Sequence, residues 1–284
     1  MLSVVLFPID KSDRKEIGRT GEYVSAIGLG TWAIRNYSRA REAFIYAIEH
    51  GIDNIDTAEM YDARRAEEFV GEVLKIVGRG KVFVTTKILL KHLASENKVL
   101  KAAKASLKRL GVSEVDLFLI HWPNSWLTIE EQARNFEAVY LKGLARYIGV
   151  SNFNLSELKK AIEATRKAEI VVNQVYYSVL NKSIEKDLLP YAIKSGITIQ
   201  AYTPLERGAV ISNKTIRKIA EKIGKTPVQV TLNYLISRPR TIPIPKTERK
   251  NHVEEILGSM RWRLSKKDVE TLEELSKWYR KWIL

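Results

Sequence analysis

Asp56 and Tyr61 follow a short predicted β-strand in the stretch IDNIDTAEMY, residues 52–61. Carboxylates and phenols are both side chains that can transfer protons in enzymes. Because a strand end is rigid, an acid and a phenol placed just beyond it can be aimed at a substrate. Taken alone, however, the pair is better explained as a turn-forming aspartate and a surface tyrosine. The chemical interpretation therefore depends on the residues at the ends of the other strands.

Polar and aromatic side chains also come directly after most of the other predicted strands, namely Trp32, Lys87, His121, Trp122, Ser151, Asn152, Gln174 and Tyr202. Each has a structural explanation by itself, because a histidine or tryptophan can pack in a core and an amide can bond loop backbone. A lysine that closes an apolar strand near a barrel axis needs a partner, however. The carboxyl ends of parallel strands meet at one end of a barrel, so we expect these side chains to share a site.

Strand-like and helix-like segments alternate along the chain and indicate how these side chains are positioned. Strands are predicted at residues 25–30, 54–56, 81–87, 116–121, 146–150, 170–173, 197–202 and 241–244. Helices are predicted at residues 38–50, 66–77, 95–110, 129–141, 155–167, 183–194, 213–223, 227–236, 252–257 and 265–279. Strict alternation favours a parallel sheet, and eight units favour a closed (β/α)8 barrel of the TIM type.

Two additions to the barrel are predicted. The turn at residues 19–22 joins short strands near residues 15–17 and 23–25 in an N-terminal capping hairpin, and extra helices follow the last strand. No linker or change in composition divides the chain, so residues 1–284 are expected to form a single domain. An open doubly wound sheet is the alternative, but its fingerprint needs G-x-G-x-x-G, and GLG at residues 28–30 lacks the third glycine.

Composition excludes several kinds of site. The chain has no cysteine, which rules out disulfides, thiolate metal ligands and a cysteine nucleophile. No apolar run is long enough to span a bilayer, and the first residues, MLSVVLF, lack the basic region and cleavage site of a signal peptide. We therefore expect a cytoplasmic protein with no membrane partner, in which the first residues form a capping strand.

Positive charge is concentrated in the second half of the chain. Residues 1–140 hold 20 Lys+Arg and 19 Asp+Glu, whereas residues 141–284 hold 27 and 14. Such an imbalance suggests an anionic partner, either a phosphorylated cofactor or nucleic acid, although solvated helix faces explain most of these lysines. No compact basic patch is interleaved with aromatic residues, so no nucleic-acid partner is expected.

Seven short stretches, taken in order, resemble the aldo-keto reductase family. They are GLGTW (28–32), DTAEMY (56–61), TTK (85–87), LIHWP (119–123), GVSNF (149–153), NQ (173–174) and AYTPL (201–205). Each stretch is unspecific by itself, but the ordered set is highly specific and extends over nearly the whole chain. The resemblance implies an NAD(P)H-dependent reductase of aldehydes and ketones on a (β/α)8 barrel.

The resemblance also implies a role for each of four catalytic residues. Tyr61 is expected to donate a proton to the carbonyl oxygen as hydride reaches the carbonyl carbon. Lys87 would stabilise the phenolate and lower the pKa of Tyr61, and Asp56 would hold the lysine in place. His121 would orient the carbonyl and donate to the developing oxyanion. No metal is required for this chemistry.

The family pattern further implies which residues hold the nicotinamide cofactor. Ser151, Asn152 and Gln174 are expected to bind the carboxamide, while Tyr202 stacks on the ring. More distant contacts are implied for Thr203, Leu205, Arg207, Lys246, Thr247, His252 and Glu255.

NADPH is the expected cofactor and NADH the alternative, because the chain departs from the pattern at one position. Many members of the family have an arginine on the adenosine 2′-phosphate where this chain has His252. Lys246 and Arg249 could compensate, although arginine is the better bidentate phosphate ligand. The basic second half of the chain favours the phosphorylated cofactor.

Trp32, Trp122 and Trp126 are expected to line an apolar, aromatic mouth for the substrate. Residues 62–65 (DARR) form a charged loop where glycines are frequent in the family, and the tail after residue 279 is too short for a long specificity loop. Small aldehydes and sugar-like carbonyls are the expected substrates, and a monomer or small homo-oligomer is the expected form.

Two other functions are compatible with the sequence. A non-catalytic, NADPH-binding regulatory subunit on the same fold, like the potassium-channel β subunits, can keep the same four residues. Slow oxidation of bound NADPH in a single turnover, without a steady-state rate, would indicate this function. Another barrel enzyme, such as a phosphate-sugar isomerase, would interconvert its substrates without a cofactor.

Overall fold

A short hairpin precedes a curled parallel sheet in the computed structural model, which describes residues 7–279. The hairpin consists of β1 (Arg14–Glu16) and β2 (Tyr23–Ser25), which pair antiparallel. Among the described residues, eight strands form the sheet in sequence order: β3 (Leu29–Gly30), β4 (Asn54–Asp56), β5 (Phe83–Ile88), β6 (Val115–Ile120), β7 (Ala145–Ser151), β8 (Ile170–Tyr176), β9 (Thr198–Tyr202) and β10 (Thr241–Pro243). Each neighbouring pair is parallel, so the predicted (β/α)8 class is confirmed.

Helices surround the sheet and follow the strands. They are α1 (Tyr37–Glu49), α2 (Arg65–Val77), α3 (Glu96–Leu110), α4 (Ile129–Leu141), α5 (Leu155–Ala164), α6 (Leu188–Ser195), α7 (Ala209–Ser212), α8 (Lys214–Ile223), α9 (Pro227–Ile236), α10 (Lys250–Leu257) and α11 (Lys266–Tyr279). Local sequence fixes many of the ends: Asn154, predicted as a cap, accepts from Glu157 N at the start of α5. At the other end of a helix, Gly111 takes the left-handed conformation that stops α3.

Glycines allow β3 to approach the far edge of the sheet. Gly28 N donates to Pro243 O at 3.0 Å, and Gly30 N donates to Pro245 O at 3.0 Å. A Cβ at Gly28 would lie 1.9 Å from Asn54 Oδ1, and one at Gly30 would lie 3.0 Å from Ile244 O. These two hydrogen bonds join the β3 segment to the β10 segment, so the parallel sheet closes on itself.

The hairpin covers the amino-terminal end of the barrel. Ile17 and Val24 are buried in one apolar cluster with Phe83, Leu117 and Ile242 from three strands of the barrel. The opposite end, where the strands finish, is left for the polar residues of the predicted site.

Several predicted boundaries differ from the observed ones. The helix predicted at residues 155–167 ends at Ala164, because the amides of Arg166, Lys167 and Ala168 all donate to Glu137 Oε1 instead. The helix predicted from residue 183 begins at Leu188, since a proline at position 190 tolerates only the first turn of a helix. The predicted capping strand in MLSVVLF lies almost wholly outside the described residues. The five residues after residue 279 lie wholly outside them.

No helix within residues 7–279 is both long enough and apolar enough to cross a membrane.

Candidate active site

Lys87 lies at the centre of a buried cluster at the carboxyl ends of β4, β5 and β6. Its Nζ donates to Asp56 Oδ2 at 2.7 Å and to Thr57 O at 2.8 Å, and it lies 3.2 Å from the hydroxyl of Tyr61. The Lys87 side chain is 0% exposed and that of Asp56 4% exposed. His121 follows β6, and its ring meets that of Tyr61 edge-on at 5.6 Å between centroids. The four predicted catalytic residues are therefore together.

Charge and burial act against each other in this cluster. Burial favours neutral Lys87, but the attraction of Asp56 and Tyr61 outweighs it and raises the pKa of the ammonium. Burial raises the pKa of Tyr61, and Lys87 opposes that rise without reversing it. Lys87 therefore acts on the phenol in the expected direction, but the net pKa of Tyr61 is raised rather than lowered.

His121 is a neutral imidazole. Burial, assisted by the charge of Lys87, lowers its pKa to about 2. Its ring stacks on Trp122 with 3.8 Å between centroids and 9° between planes. Within the described residues its Nδ1 is buried without a hydrogen-bond partner. A neutral imidazole has one N–H, so the tautomer protonated on Nε2 avoids a buried unpaired donor.

Gln174 connects the catalytic cluster to a residue that the sequence prediction missed. Its Nε2 donates to Asp56 Oδ1 at 2.7 Å and to Gln200 Oε1 at 2.9 Å, which uses both amide hydrogens. Gln174 and Gln200 are register partners on β8 and β9, and both are buried. In the sequence, Gln200 is a polar residue within the buried strand TIQAY and two positions before Tyr202, which is the signal that could have identified it.

Ser151, Asn152 and Tyr202 form a second network beside the first. Tyr202 OH donates to Asn152 Oδ1 at 2.8 Å, and Asn152 Nδ2 donates to His121 O at 3.0 Å. Ser151 Oγ donates to Gln174 O at 2.9 Å. Asn152 has a φ of 64°, a left-handed conformation that asparagine tolerates better than most residues. The structure thus brings these predicted carboxamide ligands together next to His121.

The loop after β9 bends sharply back over this end of the barrel. Thr203, Glu206 and Arg207 all have left-handed φ values, between 50° and 53°. The carboxylate of Glu206 accepts hydrogen bonds from Tyr176 and Ser178, which secures the bend. The bend includes the partly buried Leu205 and carries the Arg207 guanidinium over the Trp32 ring, 5.5 Å from its centroid.

The predicted phosphate residues lie between β10 and α10. Lys246 is only partly exposed, and its Nζ pairs with Glu248 Oε1 at 2.5 Å. Thr247 is buried, and its hydroxyl accepts from Arg249 N at 3.1 Å. His252 is exposed in the first turn of α10, and Glu255 is partly buried one turn later.

The predicted substrate residues differ in their exposure. Trp32 is half exposed and Trp122 is partly buried against His121, whereas Trp126 is 81% exposed. In the charged loop, Asp62, Ala63 and Arg64 have positive φ values of 45°, 48° and 82°. Such conformations favour glycine, so the loop is strained where this chain has side chains.

Comparison with known proteins matches this arrangement. A family model described as the aldo/keto reductase family matches residues 26–277. Methylglyoxal reductase YeaE of Escherichia coli (strain K12) is 32% identical over 88% of this chain and 90% of its own length. Glyoxal reductase of Bacillus subtilis (strain 168) is 34% identical over 88% of each chain.

Solved structures give the same match. A thermostable aldo-keto reductase in complex with the inhibitor epalrestat superposes with a TM-score of 0.86 and 37% identity, covering 92% of this chain and 99% of that one. An aldo/keto reductase from Klebsiella pneumoniae in complex with NADP and acetate superposes with a TM-score of 0.87 and 29% identity, covering 93% and 95%.

Proposed function

Because the chain belongs to the aldo/keto reductase family, we propose that Tyr61 is the proton donor of its reaction. The enzyme is an NADPH-dependent oxidoreductase that reduces aldehydes or ketones to alcohols. The observation that carries the proposal is the buried contact of 3.2 Å between the Tyr61 hydroxyl and Lys87 Nζ. A phenol beside a fixed ammonium can release its proton because the phenolate is stabilised where it forms.

Each residue of the cluster has a separate task in this mechanism. When bound, NADPH supplies the hydride that reaches the carbonyl carbon. Tyr61 gives its proton to the carbonyl oxygen as negative charge develops there, and Lys87 stabilises the phenolate that remains. Asp56 keeps the lysine charged in a site where burial would otherwise neutralise it. In the oxidation direction, Tyr61 takes the proton back.

His121 acts as a hydrogen-bond donor and not as a proton carrier. Its pKa of about 2 keeps the imidazole neutral at physiological pH. A neutral N–H aimed at the carbonyl oxygen stabilises the developing charge without competing with Tyr61 for the transferred proton. The stack of its ring on Trp122 fixes the orientation that this task requires.

The residues around the cluster fit a nicotinamide cofactor. Gln174 has both amide hydrogens engaged, so its side-chain carbonyl oxygen is the atom that would accept from the carboxamide NH₂. Ser151 and Asn152 lie in the same network, next to Tyr202, whose ring already stacks on that of Tyr176 at 5.9 Å between centroids. Contacts with the rest of the cofactor are assigned to Thr203, Leu205, Arg207, Lys246, Thr247, His252 and Glu255.

Small aldehydes, and dicarbonyls such as methylglyoxal and glyoxal in particular, are the proposed substrates. Two relatives that cover most of this chain are named for the reduction of these compounds. Trp122, stacked on His121, and the half-exposed Trp32 offer apolar surface that suits a small carbonyl compound. Neither relative favours the regulatory alternative, since both are named as reductases.

The proposal also covers the cellular location, the domain organisation and the oligomeric form of the enzyme. A chain without cysteine suits the cytoplasm, where disulfides are rare. We assign it a single domain over residues 1–284 and a monomeric or small homo-oligomeric form that needs neither nucleic acid nor membrane.

Replacement of Tyr61 by phenylalanine tests the assignment. The Tyr61→Phe variant should lose about a hundredfold to ten-thousandfold in kcat for methylglyoxal, because the proton donor is absent. Its Kd for NADPH, measured by quenching of tryptophan fluorescence, should stay within about twofold of the original. Tyr140→Phe is the matched control, since it removes a phenol that is 40% exposed at the end of α4. Full activity in Tyr61→Phe would refute the role of the phenol.

A further inference from the structure

Glu248 is a buried carboxylate held by four donors from two parts of the chain. Lys246 Nζ contacts its Oε1 at 2.5 Å and Arg39 Nη2 contacts its Oε2 at 2.9 Å. The backbone amides of Arg35 and Asn36 donate to the same two oxygens at 2.8 and 3.2 Å. The Glu248 side chain is only 6% exposed. The carboxylate therefore ties the stretch after β10 to the residues that open α1.

This carboxylate is ionised at physiological pH, and its hydrogen bonds hold it in place. Burial raises its pKa, but the hydrogen bonds from Lys246, Arg35 N and Arg39 lower it to about 2. The two backbone donors belong to the segment before α1, so the carboxylate cannot turn away without leaving both amides unpaired. An anion that approaches Lys246 therefore meets a negative charge that does not move.

Lys246 belongs to the residues that we assign to the adenosine end of the cofactor. Arg39, the other cation on Glu248, also lines an open cleft of about 500 Å³ together with Arg249 and Lys250. The helix α10 begins at Lys250 with no side-chain cap on its first amides. Positive side chains and the amino end of a helix suit a phosphate group, but two of the cations are already bound to Glu248.

We propose that Glu248 is a specificity-determining residue that weakens the preference of the enzyme for NADPH over NADH. The inference rests on the proposed function, because it requires the cofactor to bind with its adenosine end at Lys246. A 2′-phosphate carries a charge of about −1.5 to −2 and must share Lys246 and Arg39 with the fixed carboxylate. The 2′-hydroxyl of NADH has no charge, and as a donor it is compatible with a carboxylate acceptor.

Replacement of Glu248 by glutamine removes the charge and keeps one acceptor oxygen, which serves the amide of either Arg35 or Asn36. We expect the Kd for NADPH to fall by about threefold to tenfold, because Lys246 and Arg39 become available to the phosphate. The Kd for NADH should change by less than about twofold. Both constants are measured on the protein without substrate, by quenching of tryptophan fluorescence, so the readout is independent of turnover.

Two further variants make the test specific. Glu42→Gln removes an equal charge from an exposed position in the same cleft and should leave the ratio of the two Kd values unchanged. In a Lys246→Met background, Glu248→Gln should lose most of its effect, because the gain is transmitted through that lysine. If Glu248→Gln does not fold, Glu248→Ser keeps a hydroxyl acceptor and gives the same comparison.

Each outcome decides the question. A rise in NADPH preference that is specific to Glu248 and dependent on Lys246 supports the proposal. An unchanged ratio, an equal gain for both cofactors, or an equal effect of Glu42→Gln overturns it. Failure of the unmodified protein to bind either cofactor is a separate result, since it refutes the proposed function on which the inference depends.

Discussion

The ion pair of Lys87 and Asp56 predicts a strong energetic coupling between two buried side chains. We consider the variants Asp56→Asn and Lys87→Met, which keep the size of each side chain, and the double variant. At 2.7 Å and an effective dielectric constant near 20, the gross attraction between the two charges is about 6 kcal/mol. Desolvation of both groups offsets much of this energy, yet removal of one partner leaves the other charge buried and unpaired.

Each single substitution should therefore cost about 3–5 kcal/mol of unfolding free energy. The double variant leaves no uncompensated charge, so its cost should resemble that of one single substitution rather than the sum of both. The expected coupling energy is at least about 2 kcal/mol. Both single variants should also lose kcat, because Asp56→Asn lets burial lower the pKa of Lys87 and Lys87→Met removes the cation from Tyr61.

Equilibrium unfolding in urea measures the four free energies. The pair of Arg217 and Glu221 on α8 is the exposed control, because its side chains are 59% and 70% exposed. Its coupling energy should be below about 1 kcal/mol. If the costs of Asp56→Asn and Lys87→Met add within about 0.5 kcal/mol, the two buried side chains do not form a coupled unit.

Two further predictions concern proton transfer and barrel closure. Because the pKa of His121 is about 2 and that of Tyr61 is raised, kcat/KM for reduction should show no inflection near pH 6.5 and should fall only above about pH 10. An inflection at the usual histidine pKa in the pH profile would contradict the neutral imidazole. Gly28→Ala should cost about 1–3 kcal/mol in urea unfolding, because its Cβ would overlap the hydrogen-bonded Asn54 amide. Gly80→Ala, with open space around it, should change stability by less than about 0.5 kcal/mol.

Much of the barrel could be predicted because buried parallel strands have a direct sequence signal. The apolar runs VFVTTK and DLFLIH correspond to β5 and β6, where every residue is buried. The prediction is less accurate for the first barrel strand, since the sequence favours one strand over residues 25–30, whereas β3 comprises only Leu29–Gly30. The glycines at positions 28 and 30 allow this segment to pack closely against Ile244, which follows β10. The sequence alone does not show this contact, because it forms only when the barrel closes.

The residues of the candidate site could be predicted from the sequence, but the pKa shifts within it could not all be predicted. The order of Asp56, Tyr61, Lys87 and His121 along the chain is sufficient to bring them together once the strands are parallel. The net rise in the pKa of Tyr61 was not predictable, because it depends on how completely neighbouring elements exclude water. The pairing of Glu248 with Arg39 was not predictable either, since the two residues are 209 positions apart.

The two lysine–carboxylate pairs of the site illustrate how exposure decides the effect of one interaction. Lys87 is 0% exposed, so no external anion can compete with Asp56, and the pairing fixes a cation beside Tyr61. Lys246 is 33% exposed, so an incoming phosphate can compete with Glu248, and in our proposal the pairing withdraws a cation from the cofactor. In the proposed roles, the same kind of ion pair supports the reaction inside the barrel and opposes phosphate binding at its rim. For this reason a substitution that removes the charge of Asp56 should impair the enzyme, whereas one that removes the charge of Glu248 should increase its affinity for NADPH.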